Sequence, residues 1–152
     1  MATIKKLSEA MGTGVADGVV NVLRESFAEC ATKGVEAGGA LVFMYAIDER
    51  KTRGTFAVHA VLSAADGFLT IRCQLPGSDP AYPSLTATIM AAHWFERLMH
   101  DQFGVVAVGH PDWRRLVHHE NVPEGTHPLR KDFAWDTEMA HAAEPYPMHR
   151  VE

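Results

Sequence analysis

The chain has 152 residues, 47% hydrophobic and 22% charged, with a formal net charge of -5 and a mean hydropathy of -0.09, values that suit one globular domain of ordinary composition. No run approaches the ~20 apolar residues of a membrane span, and the opening MATIKKLSEAMG lacks the apolar stretch of a signal peptide. The acidic balance argues against a nucleic-acid binder. Cys30 and Cys73 have no Cys or His at ligand spacing, so they read as reduced thiols of a cytosolic protein rather than as a disulfide, zinc or iron–sulfur set.

Taken in chain order, residues 13–34 place Val19, Val22, Leu23, Phe27 and Cys30 at helical spacing. This predicts one helix with a single buried face, capped by Thr13 or Asp17 and stopped at Gly34. Ala40–Ile47 is apolar throughout and predicts a strand covered on both faces. The tract 48–54 reads as a charged loop. Thr55–Leu62 alternates, with Phe56, Val58 and Ala60 on one side, and Asp66-Gly67 marks a tight turn. Phe68–Leu75 alternates Leu69, Ile71, Cys73 and Leu75 against the residues between them. Together these segments describe an antiparallel meander with a helix over one face.

From residue 76 onward come all eight prolines, all three tryptophans and every histidine except His59. Pro83–Thr86 predicts a short edge strand. A second helix over 91–103 would bury Ala91, Trp94, Phe95, Leu98 and Gln102, leaving Arg97 and Asp101 paired at i, i+4 on its polar side. Gly104 would end it, and Val105–Val108 would form a last strand. The expected fold is two-layer α+β: one domain over 1–152, helices on a small, mainly antiparallel mixed sheet, a core at about 13–108, and an irregular Pro-rich tail over 109–152. Phe27, Val42, Met44, Val58, Ile71, Trp94 and Leu98 are its expected buried residues.

No arrangement of catalytic residues emerges. His93 and His100 stand at i, i+7 with Glu96 and Arg97 between them, which is not the i, i+4 pair of a zincin, and His118-His119 would diverge. His110 and Asp112 have no GxSxG partner, and neither GxGxxG nor GxxxxGK[ST] occurs. A stand-alone enzyme with a His-bound metal is the alternative that nine histidines keep open. The mixed polar residues over 96–132 point elsewhere, because Arg114, Arg115 and Arg130 sit among prolines and glycines that fix backbone direction. Planar donors on a fixed backbone describe a docking surface.

Several linked motifs carry a resemblance. Tyr82-Pro83-Ser84-Leu85-Thr86, Ala92-His93-Trp94-Phe95-Glu96-Arg97, Asp101-Gln102-Phe103-Gly104-Val105, Gly109-His110-Pro111-Asp112-Trp113-Arg114-Arg115-Leu116 and His127-Pro128-Leu129-Arg130-Lys131-Asp132-Phe133 occur in that order. Over residues 82–133 the chain resembles the 30-kDa subunit of respiratory complex I (the NADH dehydrogenase of the respiratory chain) and the related domain of formate hydrogenlyase and membrane-bound [NiFe] hydrogenases. Leu98 departs from the family's second Glu of ERE. The wording around His93 and the insert His118–Thr126 are similar to the hydrogenase branch. Pro147–Glu152 resembles the junction at which fused large subunits begin their catalytic part, pointing to an N-terminal domain of a longer protein.

The resemblance implies a non-catalytic structural or assembly subunit of an energy-converting oxidoreductase, with no catalytic centre and no cofactor or metal of its own. It implies docking on the large subunit of complex I or [NiFe] hydrogenase, with an iron–sulfur subunit as neighbour and no direct membrane insertion. The place implied is peripheral, on the cytoplasmic side of the inner membrane. The docking residues it implies are Glu96, Arg97, Asp101, Gly109, His110, Pro111, Asp112, Arg114, Arg115, His127, Pro128, Arg130, Lys131 and Asp132. A transient binding module for hydrogenase maturation is a further alternative.

Overall fold

A computed structural model describes residues 2–15 and 18–138. Helix α1, Ile4–Met11, opens the chain, with the Thr3 hydroxyl accepting from the Lys6 N–H as its N-cap. Strand β1, Val19–Val22, follows. A 3-10 turn at Arg24–Ser26 then leads into α2, Phe27–Glu36. The meander is β2, Ala40–Glu49; β3, Thr55–Ala64; and β4, Gly67–Pro76. A single helical turn, α3, Arg50–Arg53, joins β2 to β3. Beyond it lie β5, Ala81–Pro83, a 3-10 turn at Met90–Ala92, α4, His93–Phe103, and β6, Val106–Val108.

The main sheet has the order β1-β4-β3-β2, with β1 parallel to β4 and the other pairings antiparallel. Two parallel strands, β5 and β6, form a second small sheet. One face of the main sheet presents Met44 and Ala46, then Phe56, Val58, Ala60 and Leu62, then Leu69, Ile71, Cys73 and Leu75, all buried. Phe27, Cys30 and Ala31 of α2 and Leu7 of α1 join the same core. Burial pushes the Cys73 thiol up to about 12, as an inert apolar packing group requires. Phe27 of α2 meets Tyr82 of β5 edge-on, with centroids 5.5 Å apart, tying the small sheet to the helix that packs on the large one. This is the two-layer α+β architecture that the alternating strands predict.

Four expectations need correction. The single helix over 13–34 is a strand followed by a shorter helix. Val19-Val20-Asn21-Val22, three of them β-branched, pairs with β4, and the helical spacing of Val19 and Val22 with Phe27 is accidental. Asp17, offered as a cap, lies outside the described residues. Gly34 does not stop α2 but sits within it, where an added Cβ would fall 2.5 Å from Leu62 Cδ1. The core also reaches back to Ala2 and Leu7, ahead of residue 13, because the turn after β3 holds α1: the Ile4 N–H donates to Asp66 Oδ1 at 2.7 Å.

The second correction concerns β2, which is covered on one face only and leaves Val42, Phe43 and Ile47 exposed. On that open face Tyr45 stacks on His59 at 4.5 Å, and burial pushes His59 down to about 4. Third, the short strand predicted at 83–86 forms at Ala81–Pro83. Fourth, α4 buries a different arc from the one expected. Glu96, Arg97, Met99 and Asp101 turn inward, whereas Trp94 is 68% exposed and Leu98 lies at the surface. Gly104 ends α4 in the left-handed conformation, as its position predicts. The junction expected at Pro147–Glu152 lies outside the described residues.

These placements set a stability contrast. Phe27→Ala is expected to cost ~3–5 kcal/mol, as for a fully buried ring, and Trp94→Ala less than ~1 kcal/mol, as for a surface position. Equilibrium urea unfolding of the two variants checks it, and a large loss at Trp94 would contradict the register of α4.

Candidate functional site

Three ionic side chains of α4 are spent on backbone and hydroxyl groups of the chain itself. Glu96 is buried and accepts five hydrogen bonds. Oε1 takes the Tyr82 hydroxyl at 3.2 Å and the Leu85 N–H at 2.7 Å. Oε2 takes the Ser84 and Thr86 hydroxyls, each at 2.6 Å, and the Thr86 N–H at 3.3 Å. A carboxylate can be buried when donors replace its water, and here the segment 82–86 supplies them. His110 Nε2 lies 3.9 Å from Oε2.

Arg97 and Asp101 hold the segment 109–118, here called the strap. Arg97 Nε donates to the Arg114 carbonyl at 2.6 Å, and Nη2 to the Arg115 carbonyl at 2.7 Å. Its Nη1 lies 3.2 Å from His93 Nε2, which must accept because a guanidinium only donates. Asp101 Oδ2 accepts the Leu116 and Val117 N–H groups at 2.8 Å each and that of His118 at 3.3 Å. Burial works against its charge, yet these amides leave its pKa below the ordinary carboxylate value. Carbonyls and amides of five successive residues, 114–118, are thus fixed by one helix.

The chain returns to α4 at His127. Its Nδ1 lies 3.0 Å from the Asp101 carbonyl, and its ring rests on Gly104, where a Cβ would come within 2.7 Å of Nε2. Gly104 has φ +72, so both backbone and space require glycine. The Leu129 N–H then donates to the Gln102 carbonyl. A second anchor joins residues 131 and 132 to the sheet. Asp48 is buried at the end of β2 and accepts from Arg50 Nη2 at 2.7 Å and from the Lys131 N–H at 2.9 Å. Arg50 also forks onto Asp132, with bonds of 2.7 and 3.0 Å. Arg50 holds Asp132 down to about 2 and Asp48 well below the ordinary carboxylate range.

The expected docking residues therefore divide. Arg97 and Asp101, expected on the polar side of the helix, and Glu96, expected to dock, face inward, where main-chain groups and, for Glu96, three hydroxyls as well partner them. The His110 side chain is buried: its ring stacks on His93 at 5.0 Å, and its Nδ1 accepts the Asp112 N–H. Arg115 donates to the His119 and Val122 carbonyls. His127, Pro128 and Arg130 are half-buried. Gly109, Pro111, Arg114 and Lys131 are exposed, with Arg114 bidentate on Asp112 and holding that carboxyl at about 2. Asp48, Arg50, Tyr82, Ser84 and Thr86 have roles that sequence reasoning does not assign. The signal available for the last three is their clustering just before a helix that carries an acid.

Between α4 and the strap lies a polar cavity of about 430 Å³, lined among others by His100, Asp101, Trp113, Arg115, His118 and His127. Among the described residues, no group of three or more His, Cys, Asp or Glu side chains is placed to hold a metal ion. No helix among them is long and apolar enough to cross a membrane.

Known proteins share much of this chain. The sequence profile of the family described as "Respiratory-chain NADH dehydrogenase, 30 Kd subunit" matches residues 20–139. Formate hydrogenlyase subunit 5 of Escherichia coli K12 is 43% identical over 98 residues, which are 62% of this chain and 17% of that protein. A NADH-quinone oxidoreductase subunit of Halorhodospira halophila is 33% identical over 126 residues, 82% of this chain and 47% of the relative. The chain thus spans well under two thirds of either relative. The solved trypsin-resistant fragment (1-134) of Nqo5 superposes with a TM-score of 0.60 at 25% identity, covering 72% of this chain and 96% of that one.

Two outcomes are expected from the site. Glu96→Ala leaves two buried amides and three hydroxyls short of an acceptor and is expected to destabilise by at least about 3 kcal/mol in urea unfolding. The second concerns pH. A carboxyl whose folded pKa is depressed contributes stability above its unfolded value of ~3.9. That contribution is lost as pH falls through the folded value. The Arg50–Asp132 contact should therefore persist at pH 5 and open between about pH 4 and pH 2. The Arg50 guanidinium N–H signals, followed by NMR against pH, check this, and Asp132→Asn should weaken the contact already at neutral pH.

Proposed function

The chain belongs to the respiratory-chain NADH dehydrogenase 30-kDa subunit family, and on that footing we propose that it is a non-catalytic structural domain of an energy-converting oxidoreductase. The complex is of the NADH:quinone oxidoreductase or formate hydrogenlyase/[NiFe] hydrogenase type. The domain is held against the large subunit, beside an iron–sulfur subunit, on the cytoplasmic side of the membrane.

One observation carries this reading. The acids and bases that a reacting centre would need are consumed in anchoring the chain's own backbone: Glu96 on 82–86, Arg97 and Asp101 on the strap, Asp48 on residue 131. What they achieve is a fixed presentation of the strap. Related sequence also occurs both as 17% of a long polypeptide and as 47% of a short one. That pattern suits a domain whose work is to stay attached to a larger body. Among the exposed members of the strap and of the segment after it, Pro111, Arg114 and Lys131, with Trp135 at 96% exposure, are the docking residues proposed here. Exposed tryptophan and arginine are the side chains from which interface hot spots are most often built.

Co-purification of the tagged chain with the large subunit tests the proposal. The chain alone should bring down no stoichiometric metal or flavin and should not oxidise NADH above background. Arg114→Ala should leave its melting temperature within the effect of an exposed pair, ~0–1 kcal/mol, yet reduce co-purification at least tenfold. Stoichiometric cofactor in the isolated chain, or an Arg114→Ala variant that melts early and assembles normally, would contradict it.

A further inference from the structure

Two separate features of the fold place apolar side chains in solvent at one spot. The first is a row at i, i+4, i+8 on the outer side of α4 and the turn before it. Met90 is 71% exposed, Trp94 68% and Leu98 36%. The second is a break in β2. The register of β2 on β3 shifts between Leu41 and Phe43, so Val42 is the extra residue of a bulge. In a regular strand neighbouring side chains take opposite faces, but here Val42 and Phe43 are both exposed. Bulges on edge strands re-aim side chains and end pairing, and β2 is the edge of the main sheet. The two features meet, because Phe95 of α4 packs edge-on against Phe43 with centroids 5.3 Å apart, and Phe43 stacks on Tyr45 at 5.7 Å.

We propose that this patch, Met90, Trp94 and Leu98 with Val42 and Phe43, seats an apolar helix face of the large subunit. The inference rests on the reading of the chain as a domain held to that subunit, and it names a surface separate from Arg114. A row of large side chains four residues apart is a ridge that packs into the groove of another helix. The buried arc of the same helix carries its ions inward, so the ridge itself is left without charge. Contiguous exposed apolar surface of this kind marks an interaction site. The large subunit is the occupant of choice because in the formate hydrogenlyase relative the matched region is only 17% of the polypeptide. The remainder of such a protein is covalently tied to the matched domain, at an effective concentration that a free partner does not reach. A second copy of this chain, with a net charge of -5 on each copy, has no such advantage.

The test uses the assembled complex, with the large subunit tagged and the chain either wild type or carrying Trp94→Glu or Met90→Glu. Because both positions are exposed, the variants should melt like the wild type, which is measured alongside by circular dichroism. The expected result is at least a tenfold loss of chain recovered with the large subunit for each variant, and near wild-type recovery for Trp94→Phe. Wild-type recovery with Trp94→Glu would overturn this surface while leaving the docking reading intact. A wild-type chain that fails to associate with the large subunit would overturn both. If the isolated chain proves dimeric and Trp94→Glu makes it monomeric without loss of the large subunit, the occupant is a second copy and the assignment is wrong.

Discussion

A buried carboxyl group hydrogen-bonded by amides and hydroxyls of one segment is the constraint around which this molecule is arranged. Glu96 takes two main-chain amides and three hydroxyls from the segment 82–86, and so fixes where that segment lies and which way α4 is rotated. With Glu96 inward, Arg97 and Asp101 come to lie under the strap, and Met90, Trp94 and Leu98 are left outside. The rotation of one helix therefore decides both what the chain binds internally and what it leaves for others. Removing the carboxyl group would not be neutral, since the donors that replaced its water would lose their acceptor.

The same logic explains how the segment 109–138, without helix or strand, keeps a defined path. It is held by side chains of regular elements: Arg97, Asp101 and Asp48 on its backbone, and Arg50 on the Asp132 carboxylate. Gly104 adds a steric requirement, because His127 occupies the space a side chain would need. The polar residues that make the region look like a solvated surface are in large part its internal framework.

Much of the sheet is legible in the sequence, for a clear physical reason. β3 and β4 are buried on one face, so their apolar residues alternate, and Asp66-Gly67 sits where the chain must reverse. The first helix is misplaced by pattern alone because Val19 and Val22 happen to fall in phase with Phe27 and Cys30, and periodicity cannot separate a short strand from the start of a helix. The register of α4 escapes a reading in which ions face water. Glu96, Arg97 and Asp101 break that rule because the main chain nearby offers them partners. The motifs around these residues are visible and carry the family resemblance, but spacing does not say whether they point inward or outward. Asp48 and Arg50 lie in a tract that looks like a plain charged loop, and their partner Asp132 is far along the chain.

Native-state amide hydrogen exchange at Leu116, Val117 and His118, compared between wild type and Asp101→Ala, reads out whether α4 holds the strap. If one helix carboxylate holds the strap, these amides are protected in the wild type. In the variant their exchange quickens at least tenfold, while the amides of β3 and β4 keep their protection. Wild-type amides at 116–118 that exchange as fast as an unprotected loop would contradict the account, because the strap would then owe nothing to the buried charge of α4.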